Sequence, residues 1–213
     1  MPSIFCNVFL ILALFFSANT LALESEWSND TESQVRLISP ITKNNNQNDF
    51  YLGLEYKLQD GWKTYWKSPG GGGFPQSINW NKSKNIKDIE ILWPTPVNFE
   101  ILGIQSVGYK DDFIFPLKIS LENNTKSSYI FLDINYLVCK DICIPGNASL
   151  ELFIPAGIGN ITKHSFSIEK SLSEIPITNF NLSFLDSATT KIYTDDKNIS
   201  LHFLASSKKK FKN

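Results

Sequence analysis

At 213 residues the chain has room for one medium domain and part of another, and a 42% hydrophobic content with 16 Phe, 7 Tyr and 5 Trp can fill a sizeable core. The formal net charge of -1 supplies no bulk field for nucleic acid or an anionic surface, so no nucleic-acid partner is expected. Lys and Arg are spread along the chain apart from Lys208-Lys209-Lys210, which reads as a solvated tail.

Residues 1–22 read as a secretory signal. Phe5 to Phe16 is almost wholly apolar, and small residues follow at Ser17, Ala18 and Ala22, although the first residues carry no Lys or Arg. The apolar run is short for a membrane span. Cleavage is expected after Ala22, with Thr20 at the minus-three position, or alternatively after Ala18. Cys6 would leave with the signal, so the mature chain keeps Cys139 and Cys143, in a compartment where disulfides persist.

Residues 23–34 form a polar N-terminal segment, and Val35-Arg-Leu-Ile38 reads as a first strand. Phe50, Leu52, Leu54, Tyr56 and Leu58 then alternate with period two. Asp60-Gly61 is a turn signal, and Trp62 to Trp66 continues as a strand. Lys67 to Gly73 reads as a flexible loop without the Lys-Ser/Thr ending of a phosphate-binding loop. Short strands are expected over Gln76 to Trp80 and Ile89 to Trp93, the second stopped by Trp93-Pro-Thr-Pro96. Phe99 to Ile104 is partly apolar and runs into Val107-Gly-Tyr109. Phe113 to Leu121 is a strong strand in which Pro116 predicts an edge or a bulge. Tyr129 to Tyr136 leads into the cysteines, and Ala148 to Ile154 returns from them.

Many short strands with turns between them and no helical period predict an all-β, immunoglobulin-like antiparallel sandwich over residues 35–157. Residues 158–213 read as a helix, Ser165 to Ile175, followed by strands at Asn179 to Phe184, Lys191 to Thr194 and Ile199 to Leu204. About three strands are too few to bury a core alone. This second β unit therefore looks truncated, and the chain like the front of something longer.

The chemistry centres on Tyr136-Leu-Val-Cys139-Lys-Asp-Ile-Cys143-Ile-Pro145. Three residues between the thiols let the chain turn back so that the sulfurs can meet. So small a ring removes little unfolded-state entropy, which favours a switch over a staple, with a structural disulfide as the alternative. Lys140 favours a thiolate and Asp141 opposes it. A copper(I) module is a further alternative, since soft thiolates suit that ion, with His164 as third ligand to Cys139 and Cys143. His164 itself reads as a surface residue at a helix start, and a closed zinc site would need four ligands. Trp62, Tyr65, Trp66, Trp80 and Trp93 could instead line the groove of a non-catalytic binding domain, although most aromatics in such a sandwich are core. No Ser-His-Asp or paired-carboxylate constellation is present to argue from.

Gly61-Trp-Lys-Thr-Tyr-Trp-Lys-Ser-Pro-Gly70, Trp93-Pro-Thr-Pro96, Gly108-Tyr109 and the Tyr136 to Pro145 run occur in this order. Together they resemble the N-terminal periplasmic domain of the DsbD family of thiol:disulfide interchange proteins. The likeness is closer to the branch of suppressor-of-copper-sensitivity B and cytochrome c biogenesis proteins. The resemblance implies a periplasmic immunoglobulin-like domain with a redox disulfide, Cys139–Cys143, and an oxidoreductase of protein-disulfide reductase type without a cofactor. It implies that electrons arrive from a membrane-embedded domain, in cis in longer relatives or in trans. They leave for thioredoxin-like periplasmic proteins. By the same resemblance Cys143 attacks the partner disulfide and Cys139 resolves the mixed disulfide. A cap loop, Glu100-Ile101-Leu102-Gly103, shields the pair, with Ile101 where the best-known members carry an aromatic. Those members also space their cysteines more widely than the three residues found here.

Overall fold

Strand β2 (Asp49–Leu58) buries Phe50, Leu52, Leu54, Tyr56 and Leu58 on one face, and the core is built against that face. The computed structural model describes residues 22–176, 185–194 and 199–207. The expected signal up to residue 21, the strand expected over 179–184 and the lysines at 208–210 lie outside the described residues. The remaining strands of the sandwich are β1 (Ser33–Ile38), β3 (Lys63–Gly70), β4 (Ser77–Asn79), β5 (Ile86–Ile91), β6 (Val97–Ile101), β7 (Ile104–Lys110), β8 (Asp112–Leu121), β9 (Ser128–Cys139) and β10 (Cys143–Ile154). Helix α1 (Ser165–Ser173) follows, then β11 (Leu185–Thr194) and β12 (Ile199–Ser207).

One sheet has the order β1-β2-β8-β5. The other runs β10-β9-β3-β7-β6, with β4 pairing β9 beyond the stretch that β3 occupies. Every pairing is antiparallel, and the two sheets make an immunoglobulin-like sandwich. Leu52, Leu54, Leu117 and Ile119 of the first sheet and Ile130, Leu132, Ile134 and Tyr136 of the second are all fully buried in one cluster. Tyr56 stacks on Phe113 at 4.9 Å and meets Phe115 and Tyr136 edge-on.

Pro116 lies in an inner strand, between β2 and β5, and not at a sheet edge. Its carbonyl accepts from Leu92 N one residue after β5 ends, so the donor that proline lacks falls where the ladder is already closing. The expected loop at 67–73 is partly strand. After a register shift the β3–β7 ladder resumes at Gly70, opposite Ser106. The polar N-terminal segment is also ordered by pairing. Ser25 N and Ser28 N donate to Leu37 and Val35, and Ser39 N donates to Leu23, so residues 23–28 run along the outer edge of β1.

Helix α1, expected from sequence to go with residues 158–213, packs on the sandwich, where Ser171 Oγ donates to Ile114 O and Thr95 N and Oγ1 both donate to Glu174 O just beyond its last turn. The compact unit that contains it runs to Pro176, and β11 and β12 pair as a hairpin in a second unit. Among the described residues no helix is long and apolar enough to cross a membrane.

Candidate functional site

Alternation along β9 stops at Tyr136. From there Tyr136, Leu137, Val138 and Cys139 are all buried. Tyr136 and Val138 join the main core. Leu137 and Cys139, pointing the other way, join a second, smaller cluster with Tyr65 and Ile101, against which Phe99 packs. A continuous apolar run of this kind is what a strand covered on both faces requires.

Cys139 and Cys143 are directly opposed where the β9–β10 ladder ends, with Cα atoms 4.1 Å apart, and their sulfurs are joined. The loop between them, Lys140-Asp141-Ile142, is exposed. Lys140 N donates to Ile142 O at 3.0 Å. The two cysteines are not equivalent. Cys139 is 0% exposed, whereas Cys143 is an exposed residue.

Strand β3 supplies the floor. Tyr65 Oη donates to Cys139 Sγ at 3.1 Å and lies 4.0 Å from Cys143 Sγ. Burial pushes its phenol above the ordinary value, so it remains a donor through neutral pH. Thr64 Oγ1 donates to Leu137 O, and Gln76 Nε2 donates to Thr64 Oγ1, which ties β3 to β9 beside the site. Gly73 lies flat on the Tyr65 ring. A Cβ there would sit 2.3 Å from ring atoms, and its φ of 83° is also unfavourable for other residues.

Hairpin β6–β7 forms the roof. Ile101 opposes Ile104 across a two-residue turn, Leu102-Gly103, in which both φ angles are positive, the pattern of a type I′ turn. Of the four expected cap residues, only Ile101 lies in the sulfur cluster, at 5% exposure. Leu102 is 71% exposed, Glu100 accepts a hydrogen bond from Gln105 Nε2, and Gly103 completes the turn. The aromatic that the hairpin packs against this cluster is Phe99, two residues earlier on the same face, its ring centroid 5.9 Å from that of Tyr65.

Of the two expected tuning residues, Lys140 turns its ammonium to Asp60 O at 3.2 Å, and Asp141 stays in the exposed loop. The lysine placed by register next to the buried sulfur is Lys63, the β3 partner of Cys139. Its Nζ lies 6.0 Å from the Phe99 ring centroid. Lys63, Phe99 and the direction of Tyr65 were not legible before the strands were paired. The one local signal was that Thr64 and Tyr65 are both of strand-forming type.

His164 is not the surface residue expected. It is 6% exposed and pairs through Nε2 with Glu24, which also binds Arg36 and Lys163 at 3.1 Å. Burial holds its pKa below the ordinary value even though Glu24 opposes the shift. The polar edge segment supplies Glu24, and a lone histidine in sequence gives no hint of it. Among the described residues no group of three or more His, Cys, Asp and Glu could hold a metal ion. Trp62, Trp66, Trp80 and Trp93 pack against the main core as partly buried side chains, while Tyr65 faces the disulfide.

The chain shares its fold with the N-terminal periplasmic domain of ScsB from Proteus mirabilis. That crystal structure is 21% identical, aligned over 87% of this chain and 83% of that one, with a TM-score of 0.63. The reduced N-terminal domain of DsbD from Neisseria meningitidis aligns over 71% of this chain and 98% of its own at 11% identity, with a TM-score of 0.31. No curated protein sequence matches the chain. Residues 34–155, which include both sheets' pairing core and both cysteines, match the family described as thiol:disulfide interchange protein DsbD, N-terminal, and the chain belongs to that family of thiol–disulfide exchange domains.

Proposed function

We propose that the domain is a periplasmic dithiol/disulfide relay. It takes reducing equivalents from a membrane-embedded donor, in cis in longer relatives or in trans, and passes them to thioredoxin-like proteins. The asymmetry of the pair carries this reading: Cys143 is an exposed residue, whereas Cys139 is sealed beneath Phe99, Ile101 and Tyr65. A disulfide between residues only four apart in sequence closes too small a loop to contribute much chain entropy, so the bond is poorly suited to stapling.

In the reduced domain the Cys143 thiolate attacks the partner disulfide. Cys139, its ladder neighbour, then attacks the mixed disulfide and releases the reduced partner. Phe99 and Ile101 limit access to Cys139 until a partner displaces them, because access is one determinant of the exchange rate. The test mixes reduced Cys139→Ala with a purified, oxidised thioredoxin-fold protein. A mixed disulfide through Cys143 is expected to accumulate, and wild type should instead reduce the partner without trapping it. Cys143→Ala should form no adduct. Exchange that runs through Cys139, or none in any variant, would overturn the proposal.

A further inference from the structure

Lys63 is directly opposite Cys139 in the β3–β9 ladder and directly opposite Lys110 in the β3–β7 ladder. The row across the sheet therefore reads Cys143, Cys139, Lys63, Lys110. Directly opposed residues project from the same face, so both lysine stems share the face on which Cys139 is buried. Like charges so placed repel each other. Neither lysine is in an ion pair among the described residues. Lys63 Nζ donates only to Gly61 O, at 3.0 Å, and rests over the Phe99 ring that packs on the sulfur cluster. The converse conflict lies at the sulfur. Cys139 is 0% exposed in an apolar cluster with a single neutral donor, Tyr65, and a thiolate there would be penalised by desolvation. One unpaired cation, Lys63, is based one strand from a position where an anion has to appear, and a second, the exposed Lys110, is based two strands away.

We propose that Lys63, supported by Lys110, is the counter-charge for the Cys139 thiolate that forms when the disulfide opens. The proposal rests on reading the pair as redox-active. In the opening step a thiolate of a dithiol reductant attacks Sγ of Cys143, the exposed residue of the pair. The new sulfur–sulfur bond forms as the Cys143–Cys139 bond breaks, and the electron pair leaves on Cys139 Sγ. The second thiolate of the reductant then attacks its own sulfur in the mixed disulfide and expels the Cys143 thiolate. The dithiol has lost two electrons and become a cyclic disulfide, and the cysteine pair has gained them. The two protons of the dithiol go to solvent or to the new thiolates according to pH. Lys63 touches no bond that is made or broken; it is a positioning residue acting through its field on the leaving sulfur. Of the other charged groups on the surrounding elements, Lys140 is held by Asp60 O, Lys67 of β3 lies over the Trp66 ring, Glu100 is bonded to Gln105, and Asp60, Asp111 and Asp141 are exposed.

The test uses the full mature chain as wild type, Lys63→Met, Lys63→Arg and Lys110→Met. Each is equilibrated with dithiothreitol redox buffers at about pH 9, above the ordinary thiol pKa and below that of lysine. Thiolate absorbance of the reduced proteins is titrated in parallel. Lys63→Met is expected to shift the equilibrium toward the disulfide by about fivefold, the scale of one cation partly open to water. Its thiolate absorbance should also appear at higher pH. Lys110→Met should shift both in the same direction by less, and Lys63→Arg should restore them. A folded Lys63→Met with wild-type equilibrium and titration overturns the inference and leaves the relay reading standing. If Lys63→Met does not fold, an unshifted Lys110→Met overturns it instead. A wild-type disulfide that dithiothreitol never opens overturns the relay reading, and this inference with it.

Discussion

Tyr65 meets the disulfide with both parts of its side chain. The ring contributes to the small cluster, and the hydroxyl donates to the buried sulfur. Tyr65→Phe separates the two contributions. Stability in urea should fall by about 1 kcal/mol or less, the net worth of one ordinary hydrogen bond. The dithiol/disulfide equilibrium at alkaline pH should move toward the disulfide by about tenfold, because a hydrogen bond to a charged acceptor is the stronger kind. An equilibrium equal to wild type would make the hydroxyl a bystander. Residues of this kind set the limit of what the chain discloses before folding. Cys139 and Cys143 stand out by type and spacing alone. Lys63 does not, because its relation to Cys139 spans 76 positions and exists only through strand register.

Hairpin β6–β7 covers the site with one face and meets solvent with the other. Phe99 and Ile101 point to the sulfur cluster, and Leu102 points away. Phe99→Ala with Ile101→Ala should therefore speed reaction of the reduced protein with a small disulfide by about tenfold or less, circular dichroism serving as the fold control. Leu102→Asn should leave that rate unchanged. It should raise stability by about 0.5–1 kcal/mol, since a bulky residue at φ 54° occupies a conformation that Asn tolerates better. Faster exchange in Leu102→Asn would mean that the exposed side chain also guards the pair. The turn itself was partly readable, in Leu102-Gly103 between apolar neighbours. Which of Phe99, Ile101 and Leu102 faces inward was not, since a shift of one residue in a strand exchanges its faces. By contrast β2 was legible throughout, because all five alternating apolar residues meet one core.

At the scale of the whole molecule, the sandwich buries four phenols whose ionisation folding opposes. Burial pushes Tyr56, Tyr65, Tyr109 and Tyr136 above their ordinary value. The unfolded chain releases those protons first as pH rises. The corresponding stability is thus fully present below about pH 10, the ordinary phenol value, and is lost progressively above it. Urea midpoints should be flat from neutral pH to about pH 9 and fall steeply beyond about pH 10. Tyr56 is the exception worth replacing, because its buried hydroxyl has no hydrogen-bond partner among the described residues. Tyr56→Phe should stabilise the protein by up to about 1 kcal/mol and soften the alkaline fall. A destabilised Tyr56→Phe would show that the hydroxyl is satisfied after all.

The register of Cys139 against Cys143 has one more consequence. The β9–β10 ladder extends from the cysteines to Ile154 and Ser128, and it does not depend on the bond between the sulfurs. Opening that bond therefore leaves the two thiols as neighbours, at high effective molarity toward each other. Redox cycling in this domain should be almost silent in backbone conformation. A mixed disulfide on Cys143 would carry its own terminator, because Cys139 is already in place and no search of the chain for the second sulfur is needed.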